Sequence, residues 1–249
     1  VGLLEKVYGS LFKGLMFTVN PVKKVIIKTE CEVHKFINQQ AVEILKNDKC
    51  SGAYEIMSLY IADLNKGAVW ADQDFKSSNH FYNPDRDKGM YGCTNALKLC
   101  TAYYTKALNY YYKGDKNKAM FYLGACCHLI QDVTVPQHVN VKLLNNHRRY
   151  EKFVIKSYRQ YEDFKTSSGG IYLNSLKRFV LLNSRCALKA YNINIDEADI
   201  NKRFYKITLI VLALAQKTTA GVMHKFYTDI KNINEKSHGN RGEIYMFRL

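Results

Sequence analysis

Phe121-Tyr-Leu-Gly-Ala-Cys-Cys-His128-Leu-Ile-Gln-Asp132-Val-Thr-Val-Pro136-Gln-His138-Val-Asn140 is the most informative stretch of this chain. Its first half reads as a buried helix, about Lys116 to Gln131, ending before Pro136, since the residue ahead of a proline is pushed out of helical geometry. On that helix His128 and Asp132 are four residues apart and share one face. An imidazole nitrogen and a carboxylate oxygen then point into the same space, an arrangement that suits Zn²⁺. The pattern recurs at His147-Arg-Arg-Tyr-Glu151, with His138 between the two pairs.

Outward from there, helix follows helix. Leu3, Leu4, Val7, Leu11 and Leu15 form one apolar stripe, closed by Asn20-Pro21. Val33, Phe36, Ile37, Ala41, Ile44 and Leu45 form a second, and Tyr54 to Leu64 a third, stopped at Gly67. Residues 72 to 92 read as a loop rich in Asp, Ser, Asn and Gly. Helices are expected over Asn95–Tyr112 and over Lys116–Gln131, the latter capped by Asp115. Others are expected from His147 to about Phe164, over Ile171–Ala190 and over Asn201–Asp229. The fold expected is all-α: a single multi-helix domain with a metal cluster in a surface cleft. Its parts are an N-terminal helical extension (1–30), a main helical domain (31–230) and a polar tail (231–249).

The totals agree with that class. Hydrophobic residues make up 47% of the 249, enough for a sizeable core, and only 3 prolines interrupt it. The formal charge of +15 favours anionic partners such as nucleic acid, phosphate esters or an anionic membrane surface, without choosing among them. Seven cysteines without a CxxC framework read as buried thiols rather than a disulfide network. No uninterrupted apolar run, the longest being Ile207 to Ala215, reaches the ~18–20 residues that span a bilayer. Val1 to Val19 is broken by Lys13 and lacks a small-residue cleavage site, so no signal peptide is visible. Residues 1–27 read either as an amphipathic helix lying on lipid or as an extra packed helix.

Three more candidate residues lie upstream. His34 falls in Val33-His-Lys-Phe-Ile-Asn-Gln-Gln-Ala41, Asp72 follows Gly67-Ala-Val-Trp-Ala71, and His80 opens His-Phe-Tyr-Asn-Pro84. His224 and His238 lack such contexts and read as surface or hydrogen-bonded core residues. Taken in order with the His128–Asn140 block and Asn146-His-Arg-Arg-Tyr-Glu-Lys-Phe153, these segments resemble the bacterial zinc-dependent phospholipase C family. The resemblance runs from about residue 31 to about residue 230, ending near Ala215-Gln-Lys-Thr-Thr-Ala-Gly221.

That resemblance implies two to three zinc ions per chain. Asp72, His80, His128 and Asp132 would hold one; His138, His147 and Glu151 a second; Asp132 would bridge to a third, which His34 also binds. In the family the third zinc also takes the amine and carbonyl of an N-terminal Trp, whereas the only Trp here is Trp70. Three outcomes follow: an empty or weak third site, an amine exposed by processing, or a thiolate from Cys31 one turn before His34. Asp72 takes the catalytic role, orienting or deprotonating the attacking water. A phospholipid substrate, peripheral membrane contact, no nucleic acid partner and an extracellular location are expected, and the chain is read as a monomer. Gln73 stands where choline-cleaving members carry an aromatic residue, and Ser77 and Ser78 where another would help, so the headgroup stays open. The alternatives are a zinc-dependent single-strand nuclease, whose matching late pair typically ends in Asp rather than Glu151, and a metal-binding, membrane-associated module without catalysis.

Overall fold

The computed structural model describes residues 31–73, 79–89, 94–140 and 147–246, with side chains as far as residue 233. Among these residues the regular structure is helical: α1 (Glu32–Asn47), α2 (Ser51–Leu59), α3 (Ile61–Asp72), α4 (Ala96–Tyr112), α5 (Lys116–Asp132), α6 (Pro136–Asn140), α7 (His147–Ser157), α8 (Leu176–Ile193) and α9 (Ile200–Met246). The extension at 1–30 lies outside the described residues.

Helix starts follow local chemistry. Asn95, Asp115 and Ser175 each accept, through their side chains, a backbone N–H three residues on, satisfying a donor that the first turn leaves without a partner. The expected cap at Asp115 is therefore present, with Asp115 Oδ1 3.1 Å from Lys118 N.

Four expected boundaries move. The third stripe is two helices broken at Tyr60, and α3 runs through Gly67 to Asp72. Gly67 does not stop it because the residue lies against the Phe121 carbonyl, where a side chain would not fit. The helix from His147 ends at Ser157, whose hydroxyl donates back to the Phe153 carbonyl at 2.8 Å. A separate 3₁₀ turn, Glu162–Phe164, then buries Phe164 completely. α8 starts at Leu176 because Ile171 is drawn into a backbone bond with Lys217 O. α9 continues through the expected polar tail to Met246.

α5 is the central element. Ala119, Met120 and everything from Leu123 to Asp132 on it are buried, with α3 and α4 packed against it. α9 packs on α1, α8 and α5. By length and composition alone Ile200–Ile233 is apolar enough to cross a membrane, but 67% of its apolar window is buried inside the fold, as in a core helix. Val211, Leu212, Val222, Met223 and Phe226 are among the buried side chains. Trp70 is partly buried and packs against the core beside Tyr103, Phe121 and Tyr122. The six described cysteines are free thiols, with Cys100, Cys126 and Cys127 fully buried.

Candidate metal centre

The C-terminal turns of α3 and α5 lie side by side, which brings Asp72 to His128. The segment ahead of α4 is tied to α6 by Tyr82 N donating to His138 O at 3.1 Å, which fixes His80 and His138 together. α1 adds His34 and α7 adds His147 and Glu151. The structure thus gathers every candidate ligand into three clusters: Asp72, His80 and His128; His34, His128 and Asp132; His138, His147 and Glu151. Within each cluster the ligand atoms lie within 4.8 Å of one another.

Asp132 is the hub. Its Oδ2 lies 2.6 Å from His80 Nδ1, 3.1 Å from His128 Nε2 and 3.7 Å from His138 Nδ1. Its Oδ1 faces His34 Nε2 at 3.5 Å. The carboxylate therefore presents one oxygen to each of two ligand groups. Beyond it, His138 Nε2 is 3.2 Å from His147 Nε2, which is 2.9 Å from Glu151 Oε1. Ligands about 2.0–2.1 Å from a tetrahedral zinc stand roughly 3.4 Å apart. Spacings of 2.6–3.5 Å between ligands grouped on one ion bracket that value, and a mixed imidazole–carboxylate donor set suits an open, Lewis-acidic ion. The residues fit zinc.

Protonation suits ligation at Asp132, Glu151, His34 and His138. Burial alone would raise the Asp132 carboxyl, but His128 and His138 beside it, with hydrogen bonds from His128 and His80, hold it well below the usual range. Burial pushes His138 down to about 4, against the pull of Asp132. Burial and the neighbouring His128 also lower His34. His128 goes the other way: burial opposes its charge, but Asp132 prevails and raises it. Glu151 is lowered because His147 outweighs its desolvation. His34 and His138 are thus neutral, as metal ligands must be.

A pH dependence follows for the metal-free protein. His138 ionises near 4 when folded, against an ordinary 6.5, so its contribution to stability is complete above 6.5 and is lost as pH falls towards 4. That difference converts to on the order of 3 kcal/mol. His34 has the same sign. His128, being raised, loses its contribution only as pH climbs above 6.5, so it does not offset the fall. Thermal melts of chelator-treated protein should show Tm dropping across this window. A flat Tm would mean that the imidazoles are not buried as a neutral set.

Cys31 does not join any of the three clusters. It sits in a left-handed conformation (φ 46°) at the start of α1, and its thiol donates to Asp72 Oδ2 at 3.3 Å. Burial and the Asp72 charge push that thiol far up, away from thiolate. His224 packs edge-on against Tyr172, outside the clusters; the side chain of His238, like Ser77 and Ser78, lies outside the described residues. The spacing argument missed Gln131. It lies between His128 and Asp132, is 1% exposed, and its Oε1 is 2.7 Å from His34 Nδ1. The available signal was a polar amide inside an otherwise apolar helix.

Fold and site together define an all-α protein whose imidazoles and carboxylates gather in three groups, each able to hold a metal ion. The model of the family described as zinc dependent phospholipase C matches residues 33–213, and the chain belongs to that family. A phospholipase C of Clostridium perfringens is 25% identical over 247 residues, spanning 81% of this chain and 62% of that protein. A phospholipase C of Bacillus cereus is 29% identical over 158 residues, 57% of this chain and 54% of that protein. The chain thus spans about three fifths or less of the length of these relatives. Among solved structures, Clostridium perfringens alpha-toxin superposes with a TM-score of 0.69 at 22% identity, covering 80% of this chain and 64% of that one. The alpha toxin from Clostridium absonum gives 0.70 at 20% identity. The all-α architecture is the one these toxins share.

Proposed function

We propose that the chain hydrolyses phospholipid phosphodiesters, releasing diacylglycerol and a phosphorylated headgroup, with two to three zinc ions as cofactor. The observation that carries this reading is three adjoining ligand clusters, each with a histidine near the Asp132 carboxylate: His80 at 2.6 Å, His34 at 3.5 Å and His138 at 3.7 Å. Asp72, His80, His128 and Asp132 would hold one ion and His138, His147 and Glu151 another, with Asp132 reaching towards His34 for a third. When bound, zinc neutralises phosphate oxygens and lowers the pKa of water from 15.7 towards about 7.

Asp72 orients the attacking water and holds its proton on the carboxylate. It stands at the end of α3, half-exposed and therefore open to solvent. The water oxygen bonds to phosphorus as the bond from phosphorus to the glycerol oxygen breaks, and the proton held by Asp72 passes to the glycerol oxygen so that diacylglycerol departs as the alcohol. Around the His147–Glu151 cluster, Arg148, Arg149, Lys152 and Lys156 are exposed on α7. They favour a phosphate-bearing surface and support peripheral membrane contact. The likeness to toxins supports action outside the cell. The chain acts as a monomer in this reading.

The test uses zinc-loaded protein with vesicles of phosphatidylcholine, phosphatidylethanolamine or anionic phospholipid, and in parallel with single-stranded DNA. Diacylglycerol release with two or more zinc per chain is the expected result. DNA cleavage without diacylglycerol would make it a nuclease. Fewer than two zinc with no product would make it a binding module.

A further inference from the structure

The geometry points to Gln131 as a positioning residue that fixes His34 in the one tautomer able to ligate metal through Nε2. The inference rests on the reading above that His34 is a zinc ligand. It concerns a residue that none of the three clusters contains.

Hydrogen-bond counting carries the argument. Gln131 Nε2 donates to Asn38 Oδ1 at 2.9 Å and to Thr219 Oγ1 at 3.2 Å. Asn38 Nδ2 donates in turn to Asn65 Oδ1 at 3.0 Å. Gln131, Asn38 and Thr219 are all essentially inaccessible to solvent. A carboxamide nitrogen has two hydrogens, and both are engaged, so only Oε1 is left to face His34. It can only accept. His34 Nδ1 must therefore carry the ring proton, donating at 2.7 Å, and Nε2 keeps a bare lone pair aimed past Asp132 Oδ1 at 3.5 Å. Reversing every amide would put the proton on Nε2. That N–H would then meet Asp132 Oδ1 at 3.5 Å, beyond good hydrogen-bond range, leaving a donor poorly satisfied. Only the observed sense leaves Nε2 free to take an ion between it and Asp132 Oδ1.

The relay also braces the ring. It joins α1 through Asn38 and His34, α3 through Asn65, α5 through Gln131 and α9 through Thr219. The imidazole of His34 stacks on His128 with centroids 4.0 Å apart. His34 is therefore held on one side by a ring and on the other by a fixed acceptor. Partners of this kind behind a metal-bound histidine typically contribute 10–100-fold to metal affinity. Such bracing matters most at a site where no described residue beyond His34, His128 and Asp132 supplies a ligand.

The experiment reads metal binding and tautomer rather than turnover. ¹⁵N NMR of the zinc-loaded wild type should show His34 with hydrogen on Nδ1 and metal on Nε2. Chelator competition on Gln131→Met, which keeps length and loses the acceptor, should weaken one zinc by 10–100-fold and leave the others at wild-type affinity. Gln131→Glu, whose carboxylate can still accept from Nδ1, should restore most of that loss. An Nε2–H tautomer in the loaded wild type overturns the inference, as does a folded Gln131→Met with every zinc at wild-type affinity. His34→Ala separates the two levels. If it releases one zinc while Gln131→Met releases none, His34 stands as a ligand and the positioning role falls. If it releases none, the ligand assignment falls and the inference with it. Should Gln131→Met fail to fold, the wild-type tautomer still decides.

Discussion

Asp72→Asn is expected to cut diacylglycerol release by roughly 10²–10⁴-fold, the usual loss when a general base is removed, with the melting temperature unchanged. Asn has nearly the same shape and keeps an acceptor oxygen, so the Cys31 thiol that donates to Asp72 retains a partner. What disappears is the negative charge beside His80 and His128. Asp72 would be both ligand and base, and zinc content separates the two losses. If the variant keeps its full complement of zinc and still loses turnover, the proton-accepting role accounts for the deficit. If one zinc is lost, ligation accounts for part of it. Full turnover with full zinc would take Asp72 out of the chemistry altogether.

What could be read from the chain divides by distance along it. His128 with Asp132, and His147 with Glu151, are each one helical turn apart, so their contact is local and follows from helix geometry. The Asp115 cap is equally local. His34 against Asp132 joins residues that only tertiary packing brings together, and the family resemblance, not the spacing, put them in one site. The Gln131 relay had no such guide, because an amide between two ligands has no pattern until its partners on three other helices are known. Helix boundaries failed where packing overrides propensity. Gly67 looks like a stop signal because glycine weakens a helix by about 1 kcal/mol relative to alanine. The break falls instead at Tyr60, which no propensity marks.

That glycine is the second large lever. A Cβ on Gly67 would overlap the Phe121 carbonyl oxygen of α5, and a Cβ on Gly124 would overlap the Leu64 carbonyl oxygen of α3. The two helices touch backbone to backbone at a reciprocal pair of glycines. Asp72 lies five residues after one and His128 four residues after the other, so this crossing sets the distance between two proposed ligands. In Gly67→Ala the obstacle is main chain, which no side-chain rotation can relieve, so α3 must shift. Forced backbone shifts of this kind cost typically 1–3 kcal/mol, occasionally more; the gain in helix propensity is about 1 kcal/mol. Overlap with backbone puts the cost at the upper end, and the net loss should be about 2 kcal/mol. For a chain of this size that is a fall of roughly 4–8 °C in Tm. Zinc affinity should fall with it, since the ligand ends of α3 and α5 can no longer approach as closely. Gly67→Ala combined with Gly124→Ala should cost less than the sum, because one shift relieves both overlaps. Wild-type Tm and zinc affinity in both single variants would show that the crossing is not what brings Asp72 to His128.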